Sequence, residues 1–90
     1  MKKQTYTFNV VRKALQLELK QIKNNNRFIV WHCKATHSQN HIYRIIYNKD
    51  FDEMNCDCQA FKYRGKCSHS LKAYRLITSQ EEFYQNIEIK

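Results

Sequence analysis

The sequence predicts a single α+β domain, and three observations support this. An amphipathic helical pattern at 7–23 comes first, a stretch rich in β-branched and aromatic residues follows at 27–47, and a second helical pattern lies at 68–78. The chain of 90 residues has no proline and one glycine, which argues against a flexible linker or a second domain. We therefore treat residues 1–90 as one domain.

The first pattern predicts a helix over 7–23 with one apolar side that packs on the core. Apolar residues recur there at spacings of three and four, as expected for one face of a helix. They are Phe8, Val11, Leu15, Leu19 and Ile22. Thr7 stands where a helix N-cap is expected. A loop that ends the helix is then predicted at Asn24, Asn25 and Asn26.

Two strands are predicted at 27–35 and 41–47, paired as a hairpin around the turn-like segment 36–40. In the second strand, alternate side chains project from opposite faces of the sheet. Arg44 indicates that its face, shared with Ile42 and Ile46, is at least partly exposed.

A third short strand is predicted at 54–58, after a polar turn at 48–53. It would complete a short three-stranded antiparallel sheet. Beyond it we expect one helical turn at 60–63 and a C-terminal helix over 68–78.

The end of the chain carries a weaker pattern. Ser79 to Glu82 resembles a capping box, which predicts a short helix near 80–87. The last apolar residues, Ile87 and Ile89, are equally compatible with a frayed end.

Four residues with the chemistry of metal ligands lie between the third strand and the helix at 68–78. Cys56 and Cys58 are followed, after eight residues, by Cys67 and His69. Zinc in structural sites is usually bound by four such ligands in a tetrahedron. Residues at i and i+2 share a face of a strand but not of a helix, so the first pair suits a strand end and the second the entry to a helix.

A closed set of four protein ligands leaves no position for a catalytic water, which predicts one structural Zn²⁺. Three thiolates, a neutral imidazole and Zn²⁺ sum to a charge of about −1. Lys62, Arg64, Lys66 and a helix N-terminus after Cys67 would offset it. Gly65, the only glycine, predicts a turn that needs a positive φ.

The alternative use of four cysteines is a disulfide framework, with three possible pairings. The N-terminus is basic but has no continuous apolar run typical of a signal peptide. We therefore expect a reducing, cytoplasmic setting, which favours metal over disulfide, and the metal alternative also accounts for His69. No stretch approaches the roughly 20 apolar residues of a membrane span.

The remaining cysteine and histidines form a weaker cluster of His32, Cys33, His37 and His41. His32 and Cys33 are neighbours that face opposite sides of a strand, so they do not easily share a metal. We expect Cys33 to be a small buried apolar residue, and His37 and His41 near the turn to be solvated.

Signals for enzyme chemistry are poor. One glycine cannot form a phosphate-cradling loop, and no nucleophile with a supporting base is evident. We expect no enzyme and no small-molecule substrate.

The segment around the four ligands resembles a SWIM zinc finger, whose pattern is Cys-x-Cys, a variable spacer and Cys-x-His. Further matches to the family are Phe61, the Arg64–Gly65 pair, Leu71 and Ala73, while Gln59, Ala60 and Ser68 depart from its common residues. The motif with its flanks covers 54–78. The resemblance implies a module that binds DNA or protein.

The charge of the chain favours a polyanionic partner. Sixteen basic residues against eight acidic ones give a formal charge of +8, and no acidic residue lies between Cys58 and Leu76. We expect nucleic acid, DNA first, to be bound by the loop between the ligand pairs and by the following helix. The expected contact residues are Lys62, Tyr63, Arg64, Lys66, Lys72 and Arg75. The alternative is an adaptor that uses the same surface against an acidic protein partner.

Overall fold

Ten secondary-structure elements make up the computed structural model, which describes residues 4–34 and 41–90. In chain order they are β1 (Gln4–Tyr6), α1 (Phe8–Gln16), β2 (Lys20–Asn24), β3 (Phe28–Lys34), β4 (Ile42–Asn48), β5 (Glu53–Cys56), α2 (Gln59–Arg64), α3 (Ser68–Ile77), α4 (Gln80–Asn86) and β6 (Ile87–Ile89). The predicted α+β class is confirmed.

The main sheet is antiparallel, with the strand order β2-β3-β4-β5. Its inner face carries Trp31 opposite Ile45, both buried. Helix α3 packs on this face against β4 and β5, and α1 packs on α3. Leu71 and Ala73 of α3 join Trp31 and Ile45 in one apolar core.

The predicted helix over 7–23 is wrong in its second half. Helix α1 ends at Gln16, and the residues from Lys20 to Asn24 form strand β2 instead. All five residues of β2 are exposed, Ile22 among them, so the predicted apolar stripe is not buried in this segment. As a strand, the same segment provides hydrogen-bond partners for the free edge of β3. The sheet therefore has four strands rather than the predicted three.

The asparagine run forms a hairpin turn between β2 and β3 rather than the loop after a helix. The Asn25 side-chain oxygen accepts hydrogen bonds from the backbone N–H groups of Arg27 and Phe28, each at 2.8 Å. This local bonding favours a turn over the continuation of a helix.

The predicted hairpin of β3 and β4 is confirmed, while its turn at 36–40 lies outside the described residues. In β4, Ile45 is fully buried and Ile42 is 48% exposed, as the position of Arg44 indicated. The predicted third strand, turn of helix and helix at 68–78 appear as β5, α2 and α3.

The predicted helix near 80–87 is confirmed as α4. Ser79 caps it by accepting a hydrogen bond from the Glu82 N–H at 3.1 Å. The last residues are not frayed: β6 pairs in parallel with β1, with Gln4 opposite Ile87. Phe83 of α4 is fully buried and lies 5.9 Å from Tyr74 of α3, measured between ring centroids. Helix α4 thus connects the β1–β6 pair to the main core.

Replacing Phe83 with Ala tests this connection. Because the ring is fully buried, we expect Phe83→Ala to lower the free energy of unfolding by about 3–5 kcal/mol. The neighbouring Tyr84 is 44% exposed, so Tyr84→Ala should cost less than about 1 kcal/mol. Urea denaturation of both metal-loaded variants measures the difference, and equal losses would contradict the packing described.

Candidate metal centre

The structure brings together the four residues that the sequence assigned to a metal. The candidate ligand atoms of Cys56, Cys58, Cys67 and His69 all lie within 4.8 Å of one another. Ligands at about 2.3 Å from a tetrahedral metal are about 3.8 Å apart, so a small contraction suffices. The cluster could hold one metal ion, and it is the one such group found among residues 4–34 and 41–90.

The first ligand pair lies where β5 ends and α2 begins. Cys56 is the last residue of β5, and Cys58 is the N-cap of α2 with an extended backbone. Between them, the Asp57 carboxylate accepts a hydrogen bond from the Arg44 N–H at 2.9 Å, and the Asp57 N–H donates to the Arg44 carbonyl at 3.2 Å. Asp57 thus keeps this segment against β4 between the two cysteines.

The second pair lies at the start of α3, as its spacing predicted. Cys67 is the N-cap, and its sulfur accepts a hydrogen bond from the Ser70 N–H at 3.3 Å. In return, the Cys67 N–H donates to the Ser70 hydroxyl at 3.1 Å. This capping box orients the Cys67 sulfur, while His69 follows within the first turn of the helix.

The thiols of Cys56 and Cys67 interact directly with each other. The neighbouring Cys56 thiol, as a hydrogen-bond partner, lowers the pKa of Cys67 to about 3, and the same contact raises the pKa of Cys56. Burial raises the pKa of Cys58. Cys67 also lies at the N-terminus of α3, where the helix dipole favours a negative charge.

His69 supplies a further indication that a metal fits here. Its Nδ1 atom is buried and has no hydrogen-bond partner. An unpaired buried polar atom costs about 1–3 kcal/mol, which a bond to a metal would offset. Its ring packs against Tyr43, with centroids 4.7 Å apart. Tyr43 lies on β4 and is remote in the chain from His69 on α3, so no local sequence pattern indicates this contact.

The loop between the ligand pairs is helix α2 followed by a glycine turn. Gly65 has φ of 70°, which confirms the predicted positive φ, and its N–H donates to the Phe61 carbonyl at 2.8 Å. Phe61 packs against the core, as expected of an anchor for this segment.

The expected nucleic-acid contacts occupy two kinds of position. Lys62, Tyr63 and Arg64 of α2 are exposed, and Tyr63 is 80% exposed. On α3, Lys72 and Arg75 are half-buried, and Arg75 donates to the Thr78 carbonyl at 3.0 Å near the end of the helix.

Lys66 makes contacts within the molecule that sequence reasoning missed. Its ammonium donates to the Thr5 carbonyl and lies 5.2 Å from the centroid of the Tyr6 ring. Lys66 directly precedes Cys67, so its contacts link the segment of the second ligand pair to β1. Because the two segments are remote in the chain, no local pattern indicates this contact.

A cavity of about 410 Å³ adjoins the metal centre, with Cys58, Cys67 and His69 in its lining. Three cationic residues from different segments also line it: Lys13 of α1, Arg64 of α2 and Lys66. No described carboxylate lies in its wall. Lys13 was not among the expected contacts, which were limited to the loop between the ligand pairs and the following helix.

The second cluster of cysteine and histidines does not form a metal group in the described part of the chain. Cys33 is 3% exposed, which confirms it as a buried residue, and burial raises its pKa. His32 is half-buried and His41 is exposed beside the Tyr43 ring. His37 lies outside the described residues.

Comparisons with protein-family models, curated proteins and solved structures find no significant match to this chain. The resemblance to SWIM zinc fingers therefore depends on the motif residues themselves. None of the helices in the described ranges is long and apolar enough to cross a membrane.

Substitution of Gly65 tests the turn between the ligand pairs. A Cβ at this position would meet no atom within 4 Å, so the cost comes from the left-handed backbone alone. We expect Gly65→Ala to lower the free energy of unfolding of the metal-loaded protein by about 1 kcal/mol, and Gly65→Asn to cost less. Thermal or urea denaturation measures both, and an Ala variant as stable as the original chain would contradict the assignment.

Proposed function

We propose that the cluster binds one structural Zn²⁺ and that the chain is a SWIM-like module. The donor set of three thiols and one imidazole suits zinc. The ligands come from a strand end and a helix entry, the placement that the Cys-x-Cys and Cys-x-His spacings predict. Since four protein ligands complete a tetrahedron, we assign the metal no catalytic role. A reducing, cytoplasmic setting would keep the thiols available.

We further propose that the zinc-organised surface binds nucleic acid, DNA in particular. The observation that carries this proposal is the cationic cavity beside the metal centre, where Lys13, Arg64 and Lys66 meet without a described carboxylate. These three charges exceed the charge of about −1 expected of the zinc site, so an excess remains for phosphate groups.

The elements around this cavity extend the basic surface. Neither α2 nor α3 contains an acidic residue. Lys62 and Arg64 are exposed on α2, and in this proposal the exposed Tyr63 ring between them stacks on a base. Phosphate contacts from lysine and arginine supply most sequence-independent affinity for nucleic acid.

A second candidate is binding to an acidic protein partner through the same elements. Its specific support is exposed apolar surface: Tyr63 is 80% exposed, and Leu76 of α3 is 49% exposed. Aromatic and apolar anchors surrounded by charge are typical of protein interfaces. The nucleic-acid titration described below distinguishes the two candidates.

Removal of the metal should unfold the domain, because a site of this kind is rarely preformed in the unfolded chain. We expect a strong chelator to abolish the near-UV circular dichroism and the cooperative melting transition. Cys56→Ser and His69→Ala should bind less than one zinc per chain and behave as the chelated protein does. Cys33→Ala is the matched control, since Cys33 is buried outside the cluster, and it should retain one zinc per chain. Cooperative melting without metal would contradict the proposal.

Nucleic-acid binding should depend steeply on salt. If four to six phosphates of duplex DNA are engaged, the plot of log K against log salt concentration should have a slope of about −3.6 to −5.4. Removal of two contacts in Lys62→Gln/Arg64→Gln should reduce the slope by about 1.8 and weaken binding. Fluorescence anisotropy of the zinc-loaded protein at several salt concentrations measures both effects.

The control for this titration is Arg12→Gln/Lys90→Gln, which removes the same charge at exposed positions in α1 and directly after β6. It should lose much less affinity than the loop variant. Equal losses would indicate a general charge effect and not a site. No binding at low salt would remove nucleic acid as the partner and favour the acidic protein.

A further inference from the structure

A cavity of about 770 Å³ lies along the free edge of the main sheet. The strand order makes β5 an edge strand, which is bonded to β4 on one side only. Residues 53–55 of β5 line the cavity together with residues of β1, α2 and α3, and none of the four candidate metal ligands is in the lining. The volume is in the range of ligand sites, so the cavity is large enough to take a binding partner.

The backbone of Met54 faces this free edge. The Asp57 N–H donates to the Arg44 carbonyl at 3.2 Å, so the backbone of residue 57 points toward β4. Because neighbouring residues of a strand direct their backbone groups to opposite sides, Asn55 also faces β4, whereas the N–H and C=O of Met54 face away from it. Within the described ranges, no other strand pairs with Met54 on that side. An unpaired edge of this kind is a template for a further strand.

The charge of the cavity is opposite to that of the whole chain. Two carboxylates, of Asp52 and Glu53, line it, and no described lysine, arginine or histidine does, although the chain has a formal charge of +8. Asp52 accepts a hydrogen bond from the Tyr47 hydroxyl at 2.6 Å. The exposed Glu53 carboxylate forms no hydrogen bond or ion pair with a described residue. A cation directly opposite Glu53 on an added strand would complete an opposite-charge pair across the strands.

Aromatic rings form the apolar part of the lining. Tyr6, Phe61 and Tyr74, which we call the aromatic wall, belong to the core or pack against it. Phe51, in the turn before β5, also lines the cavity and is 73% exposed. Side chains alternate along a strand, so Met54, which is buried, points to the core side and Glu53 to the other side. An added strand would therefore place its apolar residues toward the aromatic wall and its cations beside Glu53.

We propose that the free edge of β5 binds an extended segment of a partner protein in which basic and apolar residues alternate. The backbone of this segment pairs with Met54, and a lysine or arginine lies opposite Glu53. An apolar side chain opposite Met54 packs against the aromatic wall, and Phe51 contacts the segment from the rim. Main-chain hydrogen bonds supply affinity in this mode of recognition, and alternate side chains supply specificity. The site and the charge of its ligand differ from those of the zinc loop, so this inference does not rest on the proposed function.

The first test compares two labelled peptides on the full zinc-loaded chain. Each has about seven residues, which exceeds the length of β5, with valine alternating with arginine in one and with glutamate in the other. Because the chain is cationic, charge attraction without a site favours the acidic peptide. We expect the basic peptide to bind about tenfold more tightly, as measured by fluorescence anisotropy. A preference for the acidic peptide overturns the proposal.

Two variants with matched controls locate the site. Glu53→Lys should weaken binding of the basic peptide about tenfold, because a like-charge pair replaces an opposite-charge pair. Glu18→Lys makes the same change at an exposed position between α1 and β2 and should have little effect. Phe51→Ala should also weaken binding about tenfold. Its control is Phe8→Ala, which truncates a 61% exposed ring on α1.

All four positions are exposed, so the melting temperatures should stay close to that of the original chain. Equal losses in a variant and its control overturn the assignment of the site. Glu53→Lys and Phe51→Ala are also titrated with duplex DNA. Phe51→Ala should leave duplex binding unchanged, so failure of the peptide site and failure of the nucleic-acid proposal give different results.

Two further measurements test strand addition itself. The basic peptide should slow hydrogen exchange of the Met54 amide, while the Asn55 amide, which already faces β4, serves as the internal reference. N-methylation of alternate peptide nitrogens gives two complementary peptides, and only the one whose methyl groups face β5 should lose binding. Unchanged exchange at Met54, or equal loss for both methylated peptides, overturns strand addition. Self-association of the chain that Glu53→Lys abolishes would assign the edge to a second copy and overturn the partner protein.

Discussion

The convergence of three thiols and one imidazole is the constraint on which the rest of the structure depends. The ligand atoms must meet within 4.8 Å although they come from the end of β5 and the starts of α2 and α3. This requires β5 to be held on β4 and α3 to be packed across the sheet. In a chain of 90 residues the core alone is limited, so a metal bound at this junction would add stability where the elements meet.

Sequence reasoning succeeded at the metal centre because its geometry is local. The i, i+2 spacing places Cys56 and Cys58 on one side of an extended segment, and the second pair fits a helix entry for the same reason. The single glycine predicted the turn between the pairs, since few other residues adopt a positive φ. Buried Cys33 and the exposed Arg44 side of β4 also followed from composition and alternation alone.

The errors arose where a segment has two compatible patterns or a remote partner. Leu15, Leu17 and Leu19 alternate with polar residues, so the end of the predicted helix also fits a strand. The segment forms a strand because it can pair with the free edge of β3, and that edge exists only in the folded sheet. The contact of Lys66 with Thr5 is equally non-local. The pairing of Lys20 with His32, and of His32 with Arg44, likewise appears only once the strand register is known.

The parallel pairing of β1 with β6 has a consequence for how the chain folds. It joins residues 83 positions apart, so the entropy of closing that loop is lost before any of its hydrogen bonds can form. The pair is therefore expected to form late, after the sheet and helices have brought its strands near each other. Since α4 carries Phe83 into the main core and leads directly into β6, loosening of either end should propagate to the other, and local opening there should resemble global unfolding.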